Sequence, residues 1–139
     1  MKSNAELMAM IYVDSVEQAR EYYVDKLGFT HMMGMLGKDG QMDFCTVTLG
    51  GARIMLMRAV EGLTGTNLTS QKRPVELYLE VENIDGYFEQ VKKNVKATTP
   101  LTDQWWGDRT FTIQDPFGYQ VWFFQTVAEL RIPPGAKIV

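Results

Sequence analysis

Hydrophobic and polar positions along this chain follow one plan twice. Residues 7–13 alternate, with Leu7, Ala9, Ile11 and Val13 on one face and Met8, Met10 and Tyr12 on the other, which is the period of a strand with two unlike sides. Ser15-Val16-Glu17-Gln18 has the form of a capping box, and Val16, Ala19, Tyr23 and Leu27 recur at helical spacing until Gly28. That pattern predicts an amphipathic helix of about three turns with a glycine stop. Three further strands are expected near 29–35, 42–49 and 53–57, separated by Gly37-Lys38-Asp39-Gly40 and Gly50-Gly51. The first half therefore reads βαβββ.

Residues 59–74, rich in Gly, Thr and Ser and without apolar period, read as an exposed linker. The plan then restarts. Val75, Leu77, Leu79 and Val81 alternate with Glu76, Tyr78 and Glu80; Asn83 can cap a helix; and Ile84, Tyr87, Phe88, Val91 and Val95 recur at helical spacing. Strands near 95–99, 109–114 and 119–125 complete a second βαβββ unit, and an offset of 68 residues places Val13 and Val16 on Val81 and Ile84. Ile132-Pro133-Pro134-Gly135 excludes helix and central strand, so residues 126–139 read as a tail, lying over the domain or a neighbour, or else disordered.

The stretch 105–124 holds all three tryptophans. Asp115-Pro116-Phe117-Gly118 sits between two alternating runs, where proline fixes φ and glycine accepts positive φ, so it reads as a hairpin. Alternation assigns Ala9, Ile11, Val13, Val75, Leu77, Leu79, Val81, Val121 and Phe123 to the helix-facing core, and turns Met8, Met10, Tyr12, Glu76, Tyr78, Glu80, Gln120, Trp122 and Phe124 the other way. A solvated face rarely carries so many rings and thioethers, and a sealed core rarely carries Glu and Gln. Large apolar surfaces with a few polar anchors describe a ligand pocket. The plainer alternative is that these rings pack against the other module or a second subunit.

Composition narrows the classes. A chain of 139 residues is about one domain. Its net charge of -3, with no run of Lys or Arg, gives no nucleic-acid footprint. No apolar run approaches a membrane span and nothing resembles a signal peptide, so no membrane partner and a cytoplasmic location are expected. Without such a signal, the acceptor motif Asn67-Leu68-Thr69 carries little weight. Cys45 is the only cysteine and reads as a structural thiol; His31 is the only histidine, which leaves histidine-dependent nucleophilic catalysis to that one residue.

Tyr22-Tyr23 followed by Lys26-Leu27-Gly28-Phe29, and Trp106-Gly107-Asp108-Arg109 leading into Asp115-Pro116-Phe117-Gly118, resemble the vicinal oxygen chelate superfamily over residues 7–125. These are the glyoxalase, bleomycin resistance and extradiol dioxygenase relatives. The resemblance implies an α+β fold: two βαβββ modules, here 7–58 and 75–125 of one domain spanning 1–139, forming curled mixed sheets around a cavity, commonly in a homodimer. Its enzymes hold a divalent metal through His, Gln or Glu on the first and fourth strands of each module. Those positions fall here at Met8, Ile54 or Met55, Glu76 and Trp122. Only Glu76 suits a hard or borderline cation, because a thioether prefers soft metals and an indole has no lone pair to give.

The expected function is therefore metal-independent binding that sequesters a planar or aromatic compound, in the manner of antibiotic resistance, without cofactor and without catalytic residues. The expected ligand-binding residues are Met8, Met10, Tyr12, Ile54, Glu76, Tyr78, Trp105, Trp106, Arg109, Trp122 and Phe124. Trp105 and Trp106 form either a stacking wall or a hydrophobic plug; Arg109 pairs with Asp108 or with an anionic ligand group; Glu76 meets a cationic ligand group, or Tyr78 and Gln120. The alternative is a metal-dependent glyoxalase-, dioxygenase- or isomerase-type enzyme, with His31, Asp43, Glu80 and Gln120 as reserve ligands should the strand phase slip by one. A third reading is an interaction module whose Met- and Trp-rich surfaces only make a dimer.

Overall fold

The computed structural model of the protein describes residues 5–59 and 73–139. Most of the linker expected at 59–74, including Asn67-Leu68-Thr69, lies outside the described residues. The chain divides into two compact units, Met1–Gln71 with Pro116–Gly118, and Lys72–Asp115 with Tyr119–Val139. In the first unit, β1 (Ala9–Val13), α1 (Val16–Glu21), β2 (Thr30–Leu36), β3 (Met42–Leu49) and β4 (Ala52–Arg58) build a sheet of order β1-β4-β3-β2. In the second, β5 (Glu76–Glu80), α2 (Ile84–Val91), β6 (Thr99–Asp103), β7 (Asp108–Gln114) and β8 (Gln120–Thr126) build the equivalent sheet, β5-β8-β7-β6. β1 runs parallel to β4 and β5 to β8, while the remaining pairs are antiparallel, so both sheets are mixed. The α+β class and the duplicated βαβββ plan are those read from the sequence.

Local chemistry explains each helix start. Ser15 Oγ accepts from the Gln18 amide at 3.2 Å, and Asn83 Oδ1 accepts from the Gly86 amide at 3.2 Å, each satisfying a donor that the helix itself leaves open. Glu17 reaches across to β3 and accepts from the Met42 amide, and that bond holds its carboxyl below the ordinary range. The helix that begins at α1 then widens: Tyr22–Lys26 form a π-helical turn, with the Leu27 amide donating to the Tyr22 carbonyl at 3.2 Å. Tyr22 and Tyr23 are consecutive yet both buried, edge to face at 5.7 Å. The wider turn accommodates them before Leu27 returns to the core.

Two expectations in the second unit change. The helix stops at Val91 rather than reaching Val95: the Asn94 amide bonds the Val91 carbonyl three residues back, a tighter turn than the α-helical bond four residues back. The following strand therefore lies at Thr99–Asp103, not 95–99. It is an edge strand, where Pro100 removes an amide that central pairing would require. Both β2 and β6 have irregular register against their neighbours, at His31/Met33 and Met35/Leu36 in the first sheet and at Thr99/Thr102 in the second.

Each core lies on the helix side of its sheet. Val13, Val16, Ala19, Tyr23, Val47 and Leu56 are fully buried in the first unit, and Ile84, Phe111, Ile113, Val121 and Phe123 in the second. Phe111 is central there, stacking on Phe123 at 5.2 Å and meeting the rings of Phe88 and Tyr87 from α2. Val75, expected inside, is exposed because β5 begins one residue later at an edge. Among the described residues, no helix is long and apolar enough to cross a membrane.

Truncating Phe111 to alanine should destabilise the fold by about 3–5 kcal/mol in urea unfolding, the range for a large aromatic removed from a packed core. Glu17 should contribute to acid sensitivity. Its folded pKa lies below the unfolded value, so its contribution is present above the ordinary 4.5 and lost as pH falls. Stability of Glu17→Gln, followed by thermal melts from neutral to acid pH, should therefore fall less steeply than that of wild type.

Candidate functional site

Pairing in the second sheet assembles an aromatic face opposite the α2 side. Glu76 lies beside Gln120, Tyr78 beside Trp122 and Glu80 beside Phe124, while β7 sets Thr112 against Trp122 and Thr110 against Phe124. Residues paired across a sheet share a face. Tyr78 stacks on Phe124 with ring centroids 4.4 Å apart and tilts against Trp122 at 5.8 Å. Glu76 Oε1 accepts from both Trp122 Nε1 and Gln120 Nε2, each at 2.9 Å. The carboxylate thus fixes the indole plane, and both of these bonds go to one of its two oxygens.

A second carboxylate holds the other end of the face. Asp108 is 8% exposed, and three side-chain donors converge on it. Tyr78 OH donates to Oδ2 at 2.6 Å, Trp106 Nε1 to the same oxygen at 3.1 Å, and Thr126 Oγ1 to Oδ1 at 2.7 Å. Trp106 Nε1 also lies 2.9 Å from Tyr78 OH as donor. Burial of the phenol, followed by its donation to Asp108, pushes Tyr78 up to about 12, so it remains a neutral donor at any ordinary pH. Thr112 shares hydroxyl bonds with Thr98 at 2.9 Å and Thr99 at 2.7 Å, and Gln104 donates to Thr110 Oγ1 at 3.0 Å.

The structure brings together Glu76, Tyr78, Trp106, Trp122 and Phe124 of the expected site residues. Arg109 is corrected. Strand alternation turns it toward α2, where its Nε donates to Asp103 at 2.6 Å and its Nη1 bonds Asp85 at 3.0 Å, so neither Asp108 nor the aromatic face receives it. Trp105 is half exposed and meets Trp106 edge to face at 5.5 Å. With Gln104, Glu129 and Arg131 it borders a hollow of about 400 Å³. Asp108 and Thr126 are anchors that strand alternation alone does not mark; register sets them opposite each other at the ends of β7 and β8.

The first sheet carries a different open face. Met10 pairs with Met55 and Tyr12 with Met57, and the rows continue through Thr46 to Met33 and through Phe44 to Met35. Tyr12 OH donates to Met10 Sδ at 3.8 Å. Met8 precedes β1 and is half-buried. Ile54 is corrected: it pairs with Ala9 and Val47 and is 1% exposed, within the core, so the fourth-strand position on the open face is Met55.

These donor sets do not fit the divalent metal of the superfamily's enzymes. In the first unit the positions are thioethers, and in the second the Trp122 indole already donates to the one carboxylate. Among the described residues, no three His, Cys, Asp or Glu side chains are grouped to hold an ion. His31 Nδ1 accepts from Arg20 Nε at 2.9 Å, and Asp43 lies 3.6 Å from the Arg58 guanidinium. Cys45 is fully buried and its thiol is pushed up to about 11 by that burial, which makes it unreactive.

Comparison with known proteins agrees with the fold. The sequence profile described as "Glyoxalase/Bleomycin resistance protein/Dioxygenase superfamily" matches residues 7–123. The bleomycin resistance protein of Geobacillus stearothermophilus is 30% identical over 129 residues, covering 83% of this chain and 92% of its own. Among solved structures, TioX from Micromonospora sp. ML1 superposes with a TM-score of 0.72 at 19% identity, covering 89% of this chain and 100% of its own. The bleomycin-binding protein of Streptomyces verticillus, solved with copper(II)-bleomycin, gives 0.66 at 22% identity, covering 93% and 100%.

Asp108→Asn should weaken the network at its node. Removing the anionic acceptor is expected to cost about 1–3 kcal/mol and to bring the Tyr78 ionisation down toward the ordinary phenol value. Phenolate absorbance during an alkaline titration checks this; an unmoved late-titrating tyrosine would leave burial alone as its cause.

Proposed function

Because the chain belongs to the glyoxalase/bleomycin resistance protein/dioxygenase superfamily, we propose that it is a metal-independent binding protein that sequesters a planar or aromatic small molecule, with the aromatic face of the second sheet as its main contact. The observation that carries this reading is the Glu76-clamped Trp122 beside Tyr78 and Phe124. Rings held in fixed planes by hydrogen bonds at their rims lose little freedom when a flat guest stacks on them, and each good contact adds about 0.5–1.5 kcal/mol beyond area burial. The methionines of the first sheet give that unit an apolar face of its own that adapts to varied shapes. Met8, Met10 and Tyr12 remain candidate ligand contacts on that first face, whereas Ile54 is taken up by the core and Arg109 by its ion pairs.

The donor chemistry at the superfamily's metal positions supports binding over metal-dependent catalysis. The exposed Met10, Met33 and Met35 support a homodimer, since association would cover that apolar surface. The bleomycin resistance relative and the copper(II)-bleomycin complex of a structural neighbour make that compound the first probe.

Isothermal titration of the purified protein with copper(II)-bleomycin and a panel of planar aromatic antibiotics should give saturable binding. In Trp122→Ala the affinity should fall at least about tenfold, or about 1.4 kcal/mol. Equal affinity in both proteins would remove Trp122 from the site. A stoichiometric divalent metal in the native protein, with ligand turnover, would replace this reading by the enzymatic one.

A further inference from the structure

We infer that residues 127–131, the segment following β8, form a strap that positions Trp106 on the aromatic face and thereby sets how tightly that face holds its ligand. The effect on affinity rests on the binding role proposed above; the positioning of Trp106 does not.

The superfamily match ends at residue 123, inside β8, so the strap lies outside the part of the chain that the match covers. Three backbone bonds seat it on the loop before β7. The Val127 and Ala128 amides both donate to the Gly107 carbonyl, at 2.9 and 3.1 Å, and the Arg131 amide donates to the Trp105 carbonyl. The two residues flanking Trp106 are thus tied, which fixes the backbone from which its indole projects. That indole then reaches Tyr78 OH and Asp108 Oδ2.

Gly107 shows how closely the strap passes. Its φ is +99°, and a Cβ built on it would lie 2.3 Å from the Ala128 carbonyl oxygen. Only glycine permits both that backbone angle and that approach. The strap itself buries no side chain: Val127, Leu130 and the following Ile132 are all about half exposed. It also borders the hollow beside Trp105 rather than filling it. It is therefore held through its backbone, and releasing it leaves the core of the second unit untouched.

Two variants test the strap without altering the sheet. In Ala128→Pro/Arg131→Pro two of the three donors are lost, and a chain ended after Thr126 lacks all three while retaining the Thr126 bond to Asp108. Fluorine NMR of protein carrying fluorotryptophan reports each indole separately, with resonances assigned through Trp106→Phe and Trp122→Phe. In both variants the Trp106 resonance should shift and broaden while that of Trp122, held by Glu76, stays in place. The dissociation constant for copper(II)-bleomycin should rise about tenfold in both. An unmoved Trp106 resonance, or a Trp122 resonance that moves equally, would overturn the positioning role. A displaced Trp106 with unchanged affinity would overturn the effect on binding. Failure of the full chain to bind the probe would count against the proposed function alone, and the fluorine result would still decide the strap.

Discussion

A β-strand has two sides and no third, so a single register decides every neighbour along it. In the second unit that register is the parallel pairing of β5 with β8, which sets Tyr78 beside Trp122 and Glu76 beside Gln120. Shifted by one residue, the rings would meet α2 while Leu77, Val121 and Phe123 faced outward. The fully buried Phe111, Val121 and Phe123 on the helix side make such a shift costly. The aromatic face is thus held in phase by the core behind it.

The two carboxylates of the face do different things. Asp108 is buried, and its three side-chain donors replace the water it has lost. It serves as a structural node joining β5, the Trp106 loop and the end of β8. Glu76 is exposed and orients Trp122 and Gln120 beside the rings. One acidic group organises the aromatic face from within and the other stands exposed at its margin.

Much of this was legible in the sequence because strands announce themselves by alternation. The duplicated order, the caps at Ser15 and Asn83, and the opposed faces of β1, β5 and β8 all follow from period and turn chemistry. What stayed hidden depends on neighbours that period does not reveal. Arg109 is in phase with Phe111, yet only the position of Asp85 on α2 shows what it pairs with. Ile54 against Met55 was a choice of one residue, settled by cross-strand partners. The π-helical turn, the late β6 and the anchoring role of Asp108 likewise arise from packing and register rather than from local propensity.

The irregular registers of β2 and β6 bear on what an outer strand offers to another chain. A straight outer strand with free amides and carbonyls is a template on which another chain can polymerise. In the first sheet that outer strand carries Met32, Met33, Met35 and Leu36, all exposed, a sequence apolar enough to invite fibrils. The bulges at His31/Met33 and Met35/Leu36 distort the ladder that such growth would copy, and Pro100 deletes a donor from the corresponding strand of the second sheet. Strand-by-strand growth from either of these outer strands is thereby disfavoured.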